Sequence, residues 1–492
     1  MFYFTILTVL AVSLILSFAA VALILKLSHA KGWFDRTDHR TVHEGDIPRL
    51  GGIGFAAVLL ISAAVICFLF QDNESLKFYL PCIGALLLIL VFGVIDDFIH
   101  LAPGWKLLAQ VAAALIVIIS GHVFNRVTYF DTTVFPQFIN YAITFFWIVG
   151  ITNAINLIDG IDGLAGSISG LIALFFGLIF FYTSNDPILI LFCVAFVGSV
   201  AGFLIFNAPL PKAKIFMGDC GSQFLGFSIA LLPLLAEKTG LIAMPLLYAV
   251  ALLLIPIIDT IAAIWRRIRD GQRIDTPDKA HVHHKLMNLG FSVRGSLAVL
   301  CGLQIVIGLI VFISIRFEGL LSIYILSTAY FTVTAFFTII HYKNRAVLNN
   351  EKICPFKGII LKLPAPLIII AITILSSQST LPQMPGVFGF DKFLHFVAYA
   401  ALAVAVGLWF TRESWQKQPN SYYPVRNFFI CVAIASIYGA IDEFHQYFVP
   451  GRSCDIWDWV ADTLGGVAGA AFVMISARVY ERLNKAKKLG TM

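Results

Sequence analysis

The sequence predicts an all-α polytopic membrane protein with about fifteen transmembrane helices, and three observations predict it. First, 59% of the 492 residues are hydrophobic and only 13% are charged, where soluble domains carry about 25% charged residues. The same balance excludes disorder, which needs low hydrophobicity and high charge. Second, apolar runs near the roughly 20 residues of a membrane span recur along the chain. Third, the cations are sorted. If the chain crosses at every run, 28 of the 34 Lys and Arg fall in the loops of one side and six in those of the other. Such sorting is the positive-inside signature. It predicts an outside N-terminus and a cytoplasmic C-terminus in a bacterial inner (plasma) membrane. The net charge of +6 is therefore read as topology, with the lipid bilayer as partner and no nucleic acid.

The runs follow in order. Run 2–25 comes first; it is too long for a signal-peptide core and no cation precedes it, so it reads as a retained span. Then come 53–70, 79–95, 106–120, 139–155, 164–182, 188–206, 222–236 and 241–264. Runs 296–315 and 320–341 complete eleven spans, and a charged, Pro-containing break at 343–362 separates them from four more at 363–377, 393–410, 428–447 and 458–477. None alternates polar and apolar residues as a barrel strand does. The expected organisation is a membrane domain over 1–345, a cytoplasmic linker over 346–362, a second membrane domain over 363–480 and a basic cytoplasmic tail over 481–492. The eight cysteines form no CxxC pair, so neither a disulfide framework nor a zinc site is expected from them.

Polar residues at membrane depth are costly and are functional candidates by default. On the expected cytoplasmic side they gather. Asp96 and Asp97 end the third run, with Lys106 just beyond. Asn153, Asn156, Asp159 and Asp162 sit in TNAINLIDGIDGLAGS. Asn207 opens NAPLPKAKIFMGDCGS, which carries Lys212, Lys214 and Asp219. The long loop after run nine holds Arg266, Arg267 and Arg269, then DKAHVHHKL with His281, His283 and His284. Arg40, His43 and Arg49 precede Gly51-Gly52. Clustered carboxylates suit Mg²⁺ or Mn²⁺, Lys and Arg suit phosphate oxygens, and glycines beside the acids let backbone approach a ligand. Together they indicate a metal-bridged diphosphate, and phosphoryl transfer needs little more than positioning and charge neutralisation. Singly, each element has a plainer reading. Asp-Gly is ordinary turn chemistry, span-end acids can be solvated, and loop cations can serve topology alone.

These residues resemble the polyprenyl-phosphate N-acetylhexosamine-1-phosphate transferases, of the glycosyltransferase family 4 type, over about residues 1–340. The Asp-Asp end of run three, NAINLIDGIDGLAGS, KIFMGDCGSQFLGF and the HVHH loop carry the resemblance, and HVHH is similar to the WecA/TagO-like branch. The resemblance implies transfer of a sugar-1-phosphate, most simply GlcNAc-1-phosphate, from a UDP-N-acetylhexosamine to undecaprenyl phosphate. The products would be undecaprenyl-diphosphate-sugar and UMP, in the first membrane step of a cell-envelope polysaccharide such as O-antigen or teichoic acid. It implies Mg²⁺ or Mn²⁺ held by Asp219 and Asp97, and catalytic roles for Asp96, Asp97 and Asp219. It also implies nucleotide-sugar and phosphate binding by Asn153, Asn156, Asp159, Asp162, Asn207, Lys106, His281, His283 and His284. UDP-MurNAc-pentapeptide or another UDP-HexNAc remains an alternative donor. A transporter or flippase would instead carry acids at mid-span on discontinuous helices. The oligomeric state stays open, with a homodimer among the options.

The last four runs hold a second polar set, on the opposite side by charge sorting: Asp391, Lys392, His395 and Tyr399, then Asp442, Glu443, His445, Gln446 and Arg452, then Asp455, Asp458 and Asp462. His395 and Tyr399 share a helical face. A salt-bridged knot, for example Arg452 to Asp458, and a small ligand site for an anionic, glycopeptide-like or lipid-headgroup partner both fit. The motifs DKFLHFVAY, DEFHQYFVPGRS and DIWDWVADTLGG resemble VanZ-like domains over about 360–478, with Asp462 standing where the usual pattern has Asn. A VanZ-type resistance or lipid-handling protein with an inactive first domain is the remaining alternative reading of the whole chain.

Overall fold

The computed structural model describes residues 2–34, 47–69, 73–124, 136–183, 186–208, 212–238, 246–273, 276, 278, 280–317, 319–348, 364–376, 390–410, 425–447, 449 and 454–488. Every regular element among them is helical. The chain is thus an all-α polytopic membrane protein. It clusters into two compact units, Met1–Arg345 and Ala346–Met492.

The first unit contains α1 (Phe2–Lys31), α2 (Gly51–Leu69), α3 (Asn73–Ile99), α4 (Pro103–Ile119), α5 (Gln137–Ile158), α6 (Leu164–Thr183), α7 (Pro187–Asn207), α8 (Gly218–Lys238), α9 (Leu246–Leu252), α10 (Leu254–Arg269), α11 (Val282–Asn288), α12 (Val293–Ser314) and most of α13 (Gly319–Leu348). Among the described residues, the apolar runs lie on these helices or on those of the second unit, the run from 241 being divided between α9 and α10. Helix length, however, does not fix the span count at fifteen. Among the described residues twelve helices are long and apolar enough to cross a membrane, and α9 with α10 would make a thirteenth. The run expected over 241–264 is broken there by a bend of 79°. Pro256 lies just past the break and has no N–H to offer the Leu252 carbonyl four residues back, which weakens the helix there. Helix α4 has 17 residues and spans about 25 Å at 1.5 Å per residue, less than the ~30 Å hydrocarbon core.

Helix α8 is the hub of the first unit. Fully 94% of its membrane-length window is buried, and it packs on α2, α3, α5 and α6. Its sequence, rich in Gly, Ser and Ala before PLL, fits that position, because helices in lipid associate through close van der Waals contact.

The second unit contains α14 (Pro364–Ser376), α15 (Phe390–Gly407), a 3₁₀ turn (Leu408–Phe410), α16 (Val425–Gln446) and α17 (Ile456–Lys488). Helix α14 has 13 residues, again short of a full span. Helix α15 packs on α17, α16 packs on both, and α14 lies against α15. The α15–α17 contact depends on Gly465 and Gly469. A Cβ at either would sit 2.2 Å from a carbonyl oxygen of α15, that of Phe396 or of Ala400. The spacing is the small-xxx-small stripe of close membrane-helix pairs.

Candidate active site

The site grows from the ends of α3 and α8. Helix α3 stops because His100 adopts a left-handed backbone, φ 57°, and the Leu101 N–H then donates to Asp96 Oδ1 at 2.8 Å. Pro103 starts α4 at its first position, where a missing N–H costs nothing. This tight reversal brings Lys106 back over Asp96, 2.6 Å from Nζ to Oδ2. Helix α8 begins at Gly218, φ 74°. A Cβ there would lie 2.3 Å from the Arg49 carbonyl and 2.7 Å from Asp97 Oδ2, so only glycine fits. Asp219 follows in the first turn of α8, where the helix dipole favours an anion. Its N–H donates to Asp97 Oδ1 at 2.9 Å, and its Oδ2 lies 2.5 Å from Lys106 Nζ. Backbone bonds from Phe216 N to Pro48 O and from Gly51 N to Phe216 O tie the Arg49 segment alongside.

The result is a cleft of about 720 Å³ lined by Asp96, Asp97, Lys106, Asp219, Arg49 and the aromatic pair Trp33 and Phe34. Four of the expected residues (Asp96, Asp97, Lys106 and Asp219) therefore meet in one opening. Two of the carboxylates, Asp96 and Asp219, share a single ammonium. Asp97 Oδ2 is buried with no hydrogen-bond partner, and the Asp219 side chain is 40% exposed to the cleft. An oxygen-rich set with an unsatisfied carboxylate oxygen and an excess of negative charge suits a hard divalent cation.

The DG turn lies behind the cleft. Asp159 ends α5, and its carboxyl is raised to about 7, by burial first and then by Asp219, with Arg49 opposing. Asp162 Oδ2 accepts from the Ala213 N–H at 3.4 Å. Asn207 knits the same region: its Oδ1 accepts from Gly163 N and its Nδ2 donates to Ile215 O, both at 2.9 Å. Asn153 Nδ2 donates to Gln110 Oε1 and to the Val149 carbonyl, and Asn156 accepts from the Ser222 hydroxyl at 2.7 Å. None of the five lines the cleft; the three asparagines hold the elements that frame it.

The histidine loop docks on this turn. His281 Nδ1 lies 2.8 Å from Asp259 Oδ2, and the Val282 N–H donates to Asp259 Oδ1. His283 is buried against Gly160, where a Cβ would come within 2.4 Å of its ring. Burial and the neighbouring His284 push the His283 imidazole down to about 3, so it stays neutral, and both ring nitrogens lack a partner among the described residues. His284 is half-buried beside it, ring centroids 4.3 Å apart. Arg266 closes the loop on Asp278 at 2.5 Å.

By sequence, Arg49 stands in the candidate cluster without a specific role, and Asp259 is not among the candidates. Asp259 carries its own signal, an acid inside the apolar LIPIIDTIAAI, which membrane energetics marks as functional. It also sits in the broken pair α9–α10, the feature expected of a transporter, but its carboxylate is engaged by the histidine loop.

In the second unit, Lys392 Nζ lies 2.9 Å from both Asp455 and Asp458. His395 Nδ1 is 2.9 Å from Asp462 Oδ1. Glu443 accepts from the Asp455 N–H and from Gln446, which also donates to Asp442. Tyr399 is buried one turn after His395, the two rings parallel with centroids 6.5 Å apart. Asp458 thus pairs with Lys392. Arg452, the partner expected for it, lies outside the described residues, as do Arg40, His43 and the Asp391 side chain.

Comparison with known proteins adds independent findings. The glycosyl transferase family 4 model matches residues 79–237, and the VanZ/LLP1 model matches 321–477. A probable undecaprenyl-phosphate N-acetylglucosaminyl 1-phosphate transferase of Bacillus subtilis (strain 168) is 34% identical over 298 residues, 59% of this chain and 79% of the relative. The undecaprenyl-phosphate alpha-N-acetylglucosaminyl 1-phosphate transferase of Yersinia pestis is 32% identical over 282 residues, 54% and 72% of the two chains. The Escherichia coli (strain K12) protein of the same description is 29% identical over 278 residues, 55% and 73%.

Proposed function

The chain belongs to the glycosyl transferase family 4 sugar-1-phosphate transferases, membrane phosphotransferases, and from that premise we propose its substrates and the residues that act on them. The reaction transfers N-acetylglucosamine-1-phosphate from UDP-N-acetylglucosamine to undecaprenyl phosphate, giving undecaprenyl-diphosphate-N-acetylglucosamine and UMP. The observation that carries the reading is the cleft itself: Asp96 and Asp219 on Lys106, and Asp97 beside them on the Asp219 N–H with one carboxylate oxygen buried and unsatisfied. The relatives' names, which specify undecaprenyl phosphate and an N-acetylglucosaminyl 1-phosphate group, support this acceptor and this transferred group. The cation asymmetry supports a cleft on the cytoplasmic side, where a nucleotide-sugar is available. Residues 1–345 are assigned to the transferase, 346–362 to a linker, 363–480 to the VanZ-like domain and 481–492 to a basic tail.

An oxygen of the lipid phosphate attacks the phosphorus that bears the sugar. One P–O bond forms, the P–O bond to UMP breaks, and UMP leaves with the electron pair. A lipid phosphate is already largely ionised at neutral pH, so Asp96 need only keep it so and orient it. Lys106 exchanges a carboxylate for a phosphate oxygen when the diphosphate enters, as its contacts to Asp96 and Asp219 are ammonium–oxygen contacts of the same kind. Arg49 offers a second cation at the cleft wall. Trp33 and Phe34 give the opening an apolar side for a prenyl chain. Asp97 and Asp219 would hold Mg²⁺ or Mn²⁺, which would supply charge neutralisation of the diphosphate. Behind the cleft, Asp159, Asp162 and the histidine loop shape the nucleotide-sugar pocket, with half-buried His284 the most available imidazole.

The test is UMP release by purified protein given undecaprenyl phosphate, UDP-N-acetylglucosamine and Mg²⁺. Release is expected to depend on the lipid and to vanish in Asp219→Asn. Release with a different UDP-N-acetylhexosamine alone would overturn the sugar assignment, and no release across a donor panel would overturn the reaction.

A further inference from the structure

The second unit contains a site of a different kind. Among the described residues, His395, Glu443 and Asp462 are the one group whose imidazole and carboxylate ligand atoms come within 4.8 Å of one another. They arrive from three helices. His395 is in the second turn of α15, Glu443 in the last turn of α16 and Asp462 in the second turn of α17. All three therefore lie at one end of their helices, because α15 and α17 begin where α16 ends. We propose that these three side chains bind a divalent transition-metal ion of the Zn²⁺ or Mn²⁺ class.

The cluster is buried and unbalanced in charge. Asp462 is fully buried, and Asp442, Glu443 and Asp458 are each at most 8% exposed. Asp462 uses Oδ1 on His395, while Oδ2 is buried with no hydrogen-bond partner. Gly439 makes the room for that oxygen, since a Cβ there would lie 2.8 Å from it. Buried carboxylates are tolerated when paired or when they coordinate a metal. Lys392 sits at the rim, 2.9 Å from Asp455 and Asp458, and the acids deeper in face His395. One imidazole with two carboxylates is a mixed donor set. Imidazole selects Zn²⁺ and its neighbours and carboxylate suits Mn²⁺, whereas Mg²⁺ prefers all-oxygen shells. Three protein ligands would leave a fourth position for water or a ligand. Gln446, bonded to Glu443 and Asp442, and the Asp455 N–H, bonded to Glu443, orient the carboxylates as outer partners do in metal sites.

The experiment uses the full chain in detergent, carrying Asp97→Asn and Asp219→Asn so that the cleft contributes no ion. Metal content is measured after purification without chelator, and Zn²⁺, Mn²⁺ and Mg²⁺ are then titrated calorimetrically into the stripped protein. We expect one Zn²⁺ or Mn²⁺ per chain. Glu443→Gln and, separately, His395→Gln should weaken binding by at least the roughly 10–100-fold that outer partners alone contribute. Should one variant elute aggregated, the other decides. No stoichiometric ion in the parent, binding unchanged in the folded variant, or Mg²⁺ bound in preference would each overturn the proposal. None of these readouts depends on UMP release, so the transferase assignment stands or falls separately.

Discussion

Both units use a lysine to bridge two carboxylates at a helix end, yet they build opposite kinds of site. In the cleft, Lys106 bridges Asp96 and Asp219, and Asp219 stays 40% exposed. In the second unit, Lys392 sits at the rim, and the acids beneath it are buried with their ligand atoms gathered. The difference lies in how the helices approach. The reversal from α3 to α4, the start of α8 and the segments around Trp33 and Arg49 enclose a volume of about 720 Å³, enough for a diphosphate. Between α15 and α17 the glycines at 465 and 469 pull the backbones together, leaving room for an ion. Similar residue types thus serve a large anionic ligand in one place and a small cation in the other.

The largest expected effect breaks the cleft. Asp97→Asn keeps an oxygen that can accept from the Asp219 N–H but removes one of the carboxylates that would hold the metal. UMP release should fall by on the order of 10²–10³ or more, the scale of losing one preorganised electrostatic group. The same substitution should leave metal binding by the second unit unchanged. Loss of both together would mean that the two clusters are not independent.

Lys106→Met comes next. It removes the one ammonium shared by Asp96 and Asp219, and should raise the KM for the UDP-sugar and lower kcat, together by about 10²-fold. Lys106→Arg should not restore the rate, because a planar guanidinium cannot replace a compact ammonium between two carboxylates. Full rescue by Arg would show that charge alone, without position, is what the cleft requires. By contrast Lys392→Met, at the rim of the other cluster, should leave UMP release unaltered.

How much of this was legible in the sequence follows from what each feature depends on. Apolar runs mark helices because lipid demands them, and Asp96, Asp97 and Asp219 were legible as a group because their types and span-end positions agree, whereas Lys106 was legible only through the family resemblance. The break before α10 was legible in Pro256 but hidden inside a continuous apolar run. The partners were not legible. That Asp259 holds His281, that Asn207 bonds the backbone at Gly163 and Ile215, and that Arg49 reaches the cleft all depend on contacts between separate segments of the chain. Asp391 and Arg452 stay expectations of the sequence alone.

A smaller effect tests whether the histidine loop serves the cleft. Gly160→Ala would place a Cβ within 2.4 Å of the His283 ring and displace the loop without touching any cleft-lining residue. The KM for the UDP-sugar should rise about tenfold, the scale of a roughly 1.4 kcal/mol loss, with kcat for saturating donor nearly unchanged. An equal fall in kcat with KM unaltered would assign the loop to the chemical step instead.

The smallest effect is on stability, and its sign is fixed by Asp159. Its carboxyl is raised to about 7 in the folded protein, against about 3.9 in an unfolded chain. Below pH ~4 both states hold the proton, and the residue favours neither. Between pH ~4 and 7 the folded state binds more protons than the unfolded, so stability falls as pH rises, and the loss is complete above about pH 7. Asp159→Asn keeps the neutral shape at every pH. Its melting temperature should therefore match wild type near pH 4, exceed it increasingly toward pH 7 and run parallel above. A variant less stable than wild type at pH 8 would show that the ionised carboxylate is held by a cation, Arg49 being the nearest candidate. Adding Mg²⁺ with UDP-sugar should narrow the gap, because a cation in the cleft offsets the Asp219 charge that helps keep Asp159 protonated. No cation added to the second unit should do so, which makes Asp159 a local reporter that separates ligand binding in the cleft from metal binding elsewhere.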